Sequence, residues 1–272
     1  IQPNGRGWLG EEAIYDDSFI PGLSKMASAI KRNGTKAIMQ IFHAGRMAEE
    51  DAIFGYDLVS AGGVAAPLKG YRTPRPLTDA EIAEVIANFK GAAVRAMKAG
   101  FDGVEIHGAN NYLIHQFFSP HSNNRTDCWG GSLENRAAFP LAVADAVLDA
   151  VREMGAKDFI VGYRLSPREQ WTPGIALVDT LYLVDKLASL KLDYLHISQS
   201  HITSTVSAVS CSMNAAFRRN LRRLFPASRF SRILTKPSAA GCPSFPSATS
   251  RPAATYSRPS NTRISPPSAV PP

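Results

Sequence analysis

The residues best placed to do chemistry together lie in one short segment. It runs His107-Gly108-Ala109-Asn110-Asn111-Tyr112-Leu113-Ile114-His115-Gln116-Phe117-Phe118-Ser119-Pro120 and begins where an apolar run ends. An imidazole and a carboxamide three positions apart in one turn, His107 and Asn110, can aim two N–H donors at a single oxygen, which is what polarising a carbonyl requires. Tyr112 brings a weak acid beside them, suited to giving a proton to carbon. A lone histidine at a strand end serves equally well as a structural hydrogen-bonding group; the grouping with Asn110 and Tyr112 is what favours catalysis. Other candidates weigh less. Gly5-Arg6-Gly7-Trp8-Leu9-Gly10 matches G-x-G-x-x-G literally, but no strand pattern precedes it and no acidic residue follows at the right distance, so a dinucleotide site is not expected. His43 is expected to order its own loop and His115 to be structural. The three cysteines are widely spaced and indicate neither a disulfide framework nor a zinc site, so no metal is expected.

These groups need strands to hold them. Short apolar runs at 37–42, 103–107, 159–165 and 194–198 alternate with long helical patterns, and near-continuous apolar strands suit a parallel sheet buried on both faces. Helices are expected at 16–32 (Phe19, Leu23, Met26, Ala27 and Ile30 inward), 77–99 (Ile82, Val85, Ile86, Phe89, Ala93 and Met97), 132–154 (Phe139, Val143, Ala146, Val147, Ala150 and Met154) and 177–191. Thr78 and Glu81 form a capping-box pattern at the start of the second. This rhythm builds either an eight-stranded barrel or an open doubly wound sheet, and periodicity alone does not choose. A barrel takes about 250 residues and eight strands, so four strands account for half of one. In a barrel, polar groups gathered at the carboxyl ends of strands read as catalytic.

The 272-residue chain carries a formal charge of +7, and that charge is unevenly spread. Residues 211–272 hold nine Arg, one Lys and no acidic residue; the remaining 20 basic and 23 acidic side chains leave residues 1–210 at −3. The same tail takes ten of the 19 prolines and one of the 20 glycines. Sequence rich in Pro, Ser and Arg buries too little apolar surface to offset its ordering entropy, so residues 211–272 are expected to be a disordered basic tail. It reads either as a genuine tail or, the favoured reading, as frame-shifted or replaced sequence, because acid-free composition sets in abruptly after an intact strand. No run reaches the roughly 18–20 apolar residues of a membrane span, and the first residues lack a signal-peptide layout, so a cytoplasmic protein without membrane contact is expected.

At this point the motifs resemble the old yellow enzyme family. The segment from His107, with Asn124-Arg125-Thr126-Asp127 and Gly130-Gly131-Ser132-Leu133-Glu134-Asn135-Arg136, is similar to that family's active-site stretch; Cys128 and Trp129 depart from its usual filling. The resemblance implies that His107 and Asn110 bind the substrate carbonyl and that Tyr112 is the proton donor. Ile38-Met39-Gln40-Ile41-Phe42-His43-Ala44-Gly45-Arg46 resembles the third-strand motif, which assigns Gln40 to the flavin pyrimidine ring. Gly162-Tyr163-Arg164-Leu165-Ser166 resembles the fifth-strand motif, which places Arg164 near flavin N1 and O2. The resemblance covers residues 1–205 and implies a partial (β/α)₈ barrel containing strands 3–6. It further implies FMN as cofactor, NADH or NADPH as reductant, and an enone or enoyl compound as substrate, its C=C bond being reduced. A homo-oligomer is left open. It also implies a phosphate site on strands 7 and 8, which residues 211–272 do not encode. Two other readings therefore stay open: an inactive barrel fragment unable to retain FMN, and a binder of nucleic acid or anionic surfaces acting through the basic tail. The first of the three readings is favoured, with no nucleic acid as partner.

Overall fold

The computed structural model describes residues 1–198. The expected tail at 211–272, and the boundary at 210, lie outside the described residues.

Six strands and five helices follow one another: α1 (Ile20–Lys31), β1 (Ile38–Ile41), β2 (Val59–Ser60), β3 (Arg75–Pro76), α2 (Asp79–Lys98), β4 (Gly103–Gly108), α3 (Leu113–Phe118), α4 (Leu133–Glu153), β5 (Ile160–Leu165), α5 (Leu177–Ser189) and β6 (Tyr194–Ile197). The main sheet has the order β1-β4-β5-β6 and is parallel throughout. Each helical crossover returns the chain to the next strand, which is the (β/α) repeat of half a barrel. All four expected strands and all four expected long helices are present, with ends shifted by a few residues. The first helix starts late because Asp16 accepts a hydrogen bond from Ser18 N and holds residues 17–19 in a separate tight turn. The two-residue ladder of β2 with β3 has no period that a sequence pattern could reveal.

Register decides which side chains meet. Gln40 lies opposite Glu105, Glu105 opposite Gly162 and Gly162 opposite Tyr194; one layer further on, His107 lies opposite Arg164 and Arg164 opposite His196. Side chains alternate along a strand. The intervening residues Ile41, Val104, Ile106, Val161, Tyr163 and Leu165 therefore share the other face, where all six are buried. On that face α2 and α4 pack together, with Ile82, Val85, Phe89 and Ala93 of one, and Phe139, Val143, Val147 and Ala150 of the other, fully buried.

Helix α2 starts where expected: Thr78 Oγ1 accepts from Glu81 N at 3.3 Å, and the Glu81 carboxylate accepts from Thr78 N at 2.8 Å, closing the capping box. Phe139 of α4 stacks on Phe117 of α3 with ring centroids 4.0 Å apart and meets the edge of Trp129 at 6.3 Å, tying the loop that follows the candidate site to the outer layer. Three residues expected inward are exposed. Met154 caps α4 beyond its last buried turn and is 47% exposed. Met26 and Ile30 line a groove along the free side of β1, together with Leu23, Ile38 and Phe42, and among the described residues nothing fills it.

The packing predicts a sharp contrast between two positions of α4. Replacing Phe139 with alanine removes a fully buried ring and leaves a cavity, costing about 3–5 kcal/mol, whereas Met154→Ala changes stability by roughly 0.5 kcal/mol or less. Urea titration of the two variants checks this; equal midpoints would show that Phe139 is not part of the core.

Candidate active site

The site is built where β4 ends. His107 occupies the next-to-last position of β4 and is 3% exposed, with its Nδ1 accepting from Ala109 N at 3.2 Å. Burial, and then the positive charge of Arg164, hold its pKa down at about 4. At neutral pH the ring is uncharged, and since Nδ1 is an acceptor the proton resides on Nε2. The imidazole thus presents one N–H.

The chain then turns through two consecutive left-handed residues, Asn110 (φ 56°) and Asn111 (φ 62°). Asparagine tolerates this region better than most residues, so a bare Asn-Asn pair makes the turn without glycine. The turn is pinned on both sides. Asn110 N donates to Ser166 Oγ at 3.0 Å, and Asn110 Oδ1 accepts from Ser198 Oγ at 2.9 Å. Arg164 NH2 donates to the same Ser198 oxygen at 2.9 Å, which leaves the serine proton for Asn110. With Oδ1 engaged, the Asn110 Nδ2 protons are the donors that remain. His107 and Asn110 therefore both offer N–H groups at one strand end, which is the disposition that oxyanion stabilisation needs.

Tyr112 follows as the residue that precedes α3. Its ring meets His107 edge-on at 4.8 Å and Phe42 at 4.9 Å. Half-burial raises the phenol above its ordinary value, so it is protonated at neutral pH. Behind it stands Gln116, fully buried, whose amide is saturated by three backbone groups and one hydroxyl: Oε1 accepts from Arg46 N and Ser60 Oγ, while Nε2 donates to Ala44 O and Asn111 O. Gly45, at φ 58°, lies so close to that amide that a Cβ there would overlap Gln116 Oε1.

His107, Asn110, Tyr112 and Arg164 are thus brought together. Gln40 stands one layer away, level with Glu105, two residues and roughly 6.6 Å along the strand from His107. Its amide is exposed on the inner face and donates to Glu105 Oε1 at 2.5 Å. Arg164 keeps a buried Nε with no partner. His43 accepts from Gly45 N at 3.0 Å and orders its loop, as expected. His115 is buried against Glu169 at 2.8 Å. Burial works to raise the Glu169 carboxyl, but hydrogen bonds from His115, Ser119 and Ile175 N outweigh it and bring it below its usual range. The loop after β5 is thereby latched to α3. Gly5–Gly10 begins as a tight turn with no strand before it among the described residues. Three polar contributors, Ser198, Ser166 and Glu105, were not singled out from sequence. Their one signal is parity with Arg164 and His107 along parallel strands.

Residues 1–225 match the family model described as NADH:flavin oxidoreductase / NADH oxidase. The chain belongs to that family. It is 51% identical over 198 residues to an NADH:acrylate oxidoreductase of Vibrio harveyi, covering 73% of this chain and 20% of that one. To a probable NADH-dependent flavin oxidoreductase of Bacillus subtilis (strain 168) it is 48% identical over 204 residues, covering 75% and 54%. Morphinone reductase superposes with a TM-score of 0.68 at 29% identity, covering 82% of this chain and 62% of that one. An old yellow enzyme homologue from Zymomonas mobilis superposes with a TM-score of 0.65 at 26% identity, covering 74% and 58%. The sheet is therefore part of a TIM barrel, and the chain spans between a fifth and about half the length of these two curated relatives. The family description names a flavin and NADH. The residues present fit the flavin ring. A half-buried cation with an orphaned N–H, Arg164, suits an edge that gains negative charge, and Gln40 holds an open amide on the same inner face. Among the described residues no helix is long and apolar enough to cross a membrane, and no cluster of three or more metal-ligating side chains occurs.

The geometry predicts a definite state for one histidine. The His107 folded-state pKa of about 4 lies below the unfolded value near 6.5. Between those two values the unfolded chain holds a proton that the native chain refuses, so His107's contribution to stability is complete above pH 6.5 and is lost as pH falls toward 4. In ¹⁵N–¹H spectra from pH 6.5 to 8, His107 should show a protonated Nε2 and a bare Nδ1 that do not change. A ring titrating near 6.5 would mean that the Ala109 hydrogen bond is not made.

Proposed function

We propose that this chain carries the carbonyl-binding and flavin-tuning part of an FMN-dependent ene-reductase site, acting on the C=C bond of an α,β-unsaturated carbonyl compound. The observation that carries the reading is the convergence at one strand end of a neutral histidine, an asparagine whose oxygen is already engaged, and a protonated tyrosine, with Arg164 one serine away. When bound, FMN supplies a hydride that it has received from NADH or NADPH.

In this reading His107 Nε2–H and Asn110 Nδ2–H donate to the substrate carbonyl oxygen. As hydride reaches the β-carbon, negative charge moves toward that oxygen, and the two donors stabilise it more in the transition state than in the ground state. Tyr112 gives its proton to the α-carbon; its raised pKa keeps the proton available until the carbon becomes basic enough to take it. Gln40 would hold the pyrimidine ring of the bound flavin, and Arg164 would supply it with a fixed positive charge. A cytoplasmic setting supplies the nicotinamide.

The relatives' names narrow the substrate class without choosing within it. Acrylate and fumarate, in the names of the Vibrio relative and of one from Klebsiella pneumoniae (strain 342), are both α,β-unsaturated acids. The matched segment is only a fifth of each, so those printed reactions belong to much longer chains.

Two measurements test the reading. Purified chain should absorb in the flavin band and release one FMN per chain on denaturation; a colourless preparation that stays colourless with added FMN would support the fragment reading instead. In the FMN-loaded protein, Tyr112→Phe should slow alkene reduction by about 10²–10⁴-fold and leave anaerobic flavin reduction by the nicotinamide nearly unchanged. Equal slowing of both half-reactions would remove the proton-donor role.

A further inference from the structure

One carboxylate on the inner face is used by none of the steps above. Glu105, in the middle of β4, is 7% exposed and stands between β1 and β6. Its Oε1 accepts from Gln40 Nε2 at 2.5 Å and its Oε2 lies 3.0 Å from His196 Nδ1, across the intervening strand β5. That crossing is open because β5 has Gly162 at this level; the ring of Tyr194 fills the space a Cβ would need. Burial, and then the charge and hydrogen bonding of Glu105, raise the Tyr194 phenol. Gln40 and His196 thus engage both oxygens of an acceptor that sits on the same layer as Gln40.

We infer that Glu105 is a positioning residue that fixes which way round the Gln40 amide presents itself to the flavin. The inference rests on the function proposed above, in which Gln40 meets the pyrimidine ring. A carboxylate is acceptor-only, so the amide edge turned toward it must be the NH₂ group. What Gln40 then offers to the barrel interior is its Oε1 acceptor and the second Nε2 proton. The pyrimidine edge of a flavin displays the complementary pair, the N3–H donor beside a carbonyl acceptor. Without the carboxylate the amide has no preferred face, and a turned amide would set NH₂ against N3–H. A glutamine at position 105 would supply both kinds of group to Gln40 and leave its orientation undecided. The role is distinct from that of Arg164, which acts by charge; Glu105 acts through the direction of a neighbour's dipole.

The experiment has one arm without flavin and one with it. In the flavin-free chain, one Gln40 side-chain amide proton should be shifted downfield and slow to exchange, and Glu105→Gln should return it to the position of a free glutamine. In the second arm, fluorescence quenching gives the affinities of FMN and N3-methyl-FMN, whose N3 has no proton to donate. Wild type should prefer FMN by about tenfold, the scale of one hydrogen bond; Glu105→Gln should reduce that preference to about twofold, and in a Gln40→Leu background Glu105→Gln should change it no further. Gln40→Leu alters an exposed side chain and keeps the test open should Glu105→Gln fold poorly: loss of the preference in that variant supports the amide's role, and its retention overturns it. A free-glutamine signal in wild type, or an unchanged preference in Glu105→Gln, overturns the inference. If the Gln40 proton is held but the chain takes up neither flavin, the proposed function fails and the flavin part of the inference falls with it, while the orientation of Gln40 by Glu105 stands.

Discussion

Every group at the site owes its place to the parallel register of β1, β4 and β5. Side chains alternate with a period of two, so a slip of one residue between strands would carry Glu105 and His107 to the helix-facing side and bring Val104 and Ile106 inward. The helix-facing set holds the register because, the Tyr163 hydroxyl apart, it is apolar and fully buried against α2 and α4: exchanging Ile106 for His107 there would bury an imidazole in a layer of mostly aliphatic side chains. The polar set is tolerable on the inner face because, the Arg164 Nε apart, its members largely satisfy one another. Gln40 and His196 share the Glu105 carboxylate, while Ser198 joins Arg164 to Asn110. The energy that specifies the site is therefore spent on the opposite side of the sheet.

A second constraint works across the strand ends. Gln116 uses both halves of its amide to tie the loop after β1, the end of β2 and the turn before α3 into one unit, and its removal would leave several buried backbone groups unpaired at once. Tyr112 sits inside this unit, since its carbonyl accepts from Gln116 N. The left-handed pair Asn110 and Asn111 belongs to the same device. Non-glycine residues in this region persist where surrounding contacts over-determine them, and here Ser166, Ser198 and Gln116 supply those contacts.

What the sequence shows of this site is what local spacing encodes. Strand and helix placement follow from apolar period, and His107, Asn110 and Tyr112 can be grouped because they fall within six consecutive residues. Thr78 and Glu81 declare their cap because the motif is four residues long. Glu105, Ser166 and Ser198 escape notice for the opposite reason: their partners lie 34 to 91 residues away, and only the register reveals the meeting. Met26 and Ile30 have the right period to face inward, yet burial depends on what stands opposite, and a pattern along one helix carries no information about that. Gln40 and Arg164 form an intermediate class. Each looks like an ordinary buried or half-buried polar residue until motif order relates it to a ring that both could touch.

The two polar chains on the inner face bear on how charge is managed there. Among the described residues Arg164 is the fixed cation in hydrogen-bonded connection with the proposed carbonyl-binding pair, and it acts on the two members differently. On His107 it works through space, helping burial keep the ring neutral. On Asn110 it works through Ser198, whose oxygen it polarises and whose proton is thereby directed to Asn110 Oδ1. An amide whose oxygen accepts a strengthened hydrogen bond is a better donor through its nitrogen, so the same cation that keeps one donor uncharged sharpens the other. Two neutral donors suit a carbonyl that is neutral on arrival and anionic only as reaction proceeds, because they add little to ground-state binding and most where charge appears. A charged imidazolium would hold an anionic product as strongly as the transition state. The depressed His107 and the serine-linked Asn110 are thus two outcomes of one placement, the position of Arg164 opposite His107 in the β4–β5 register.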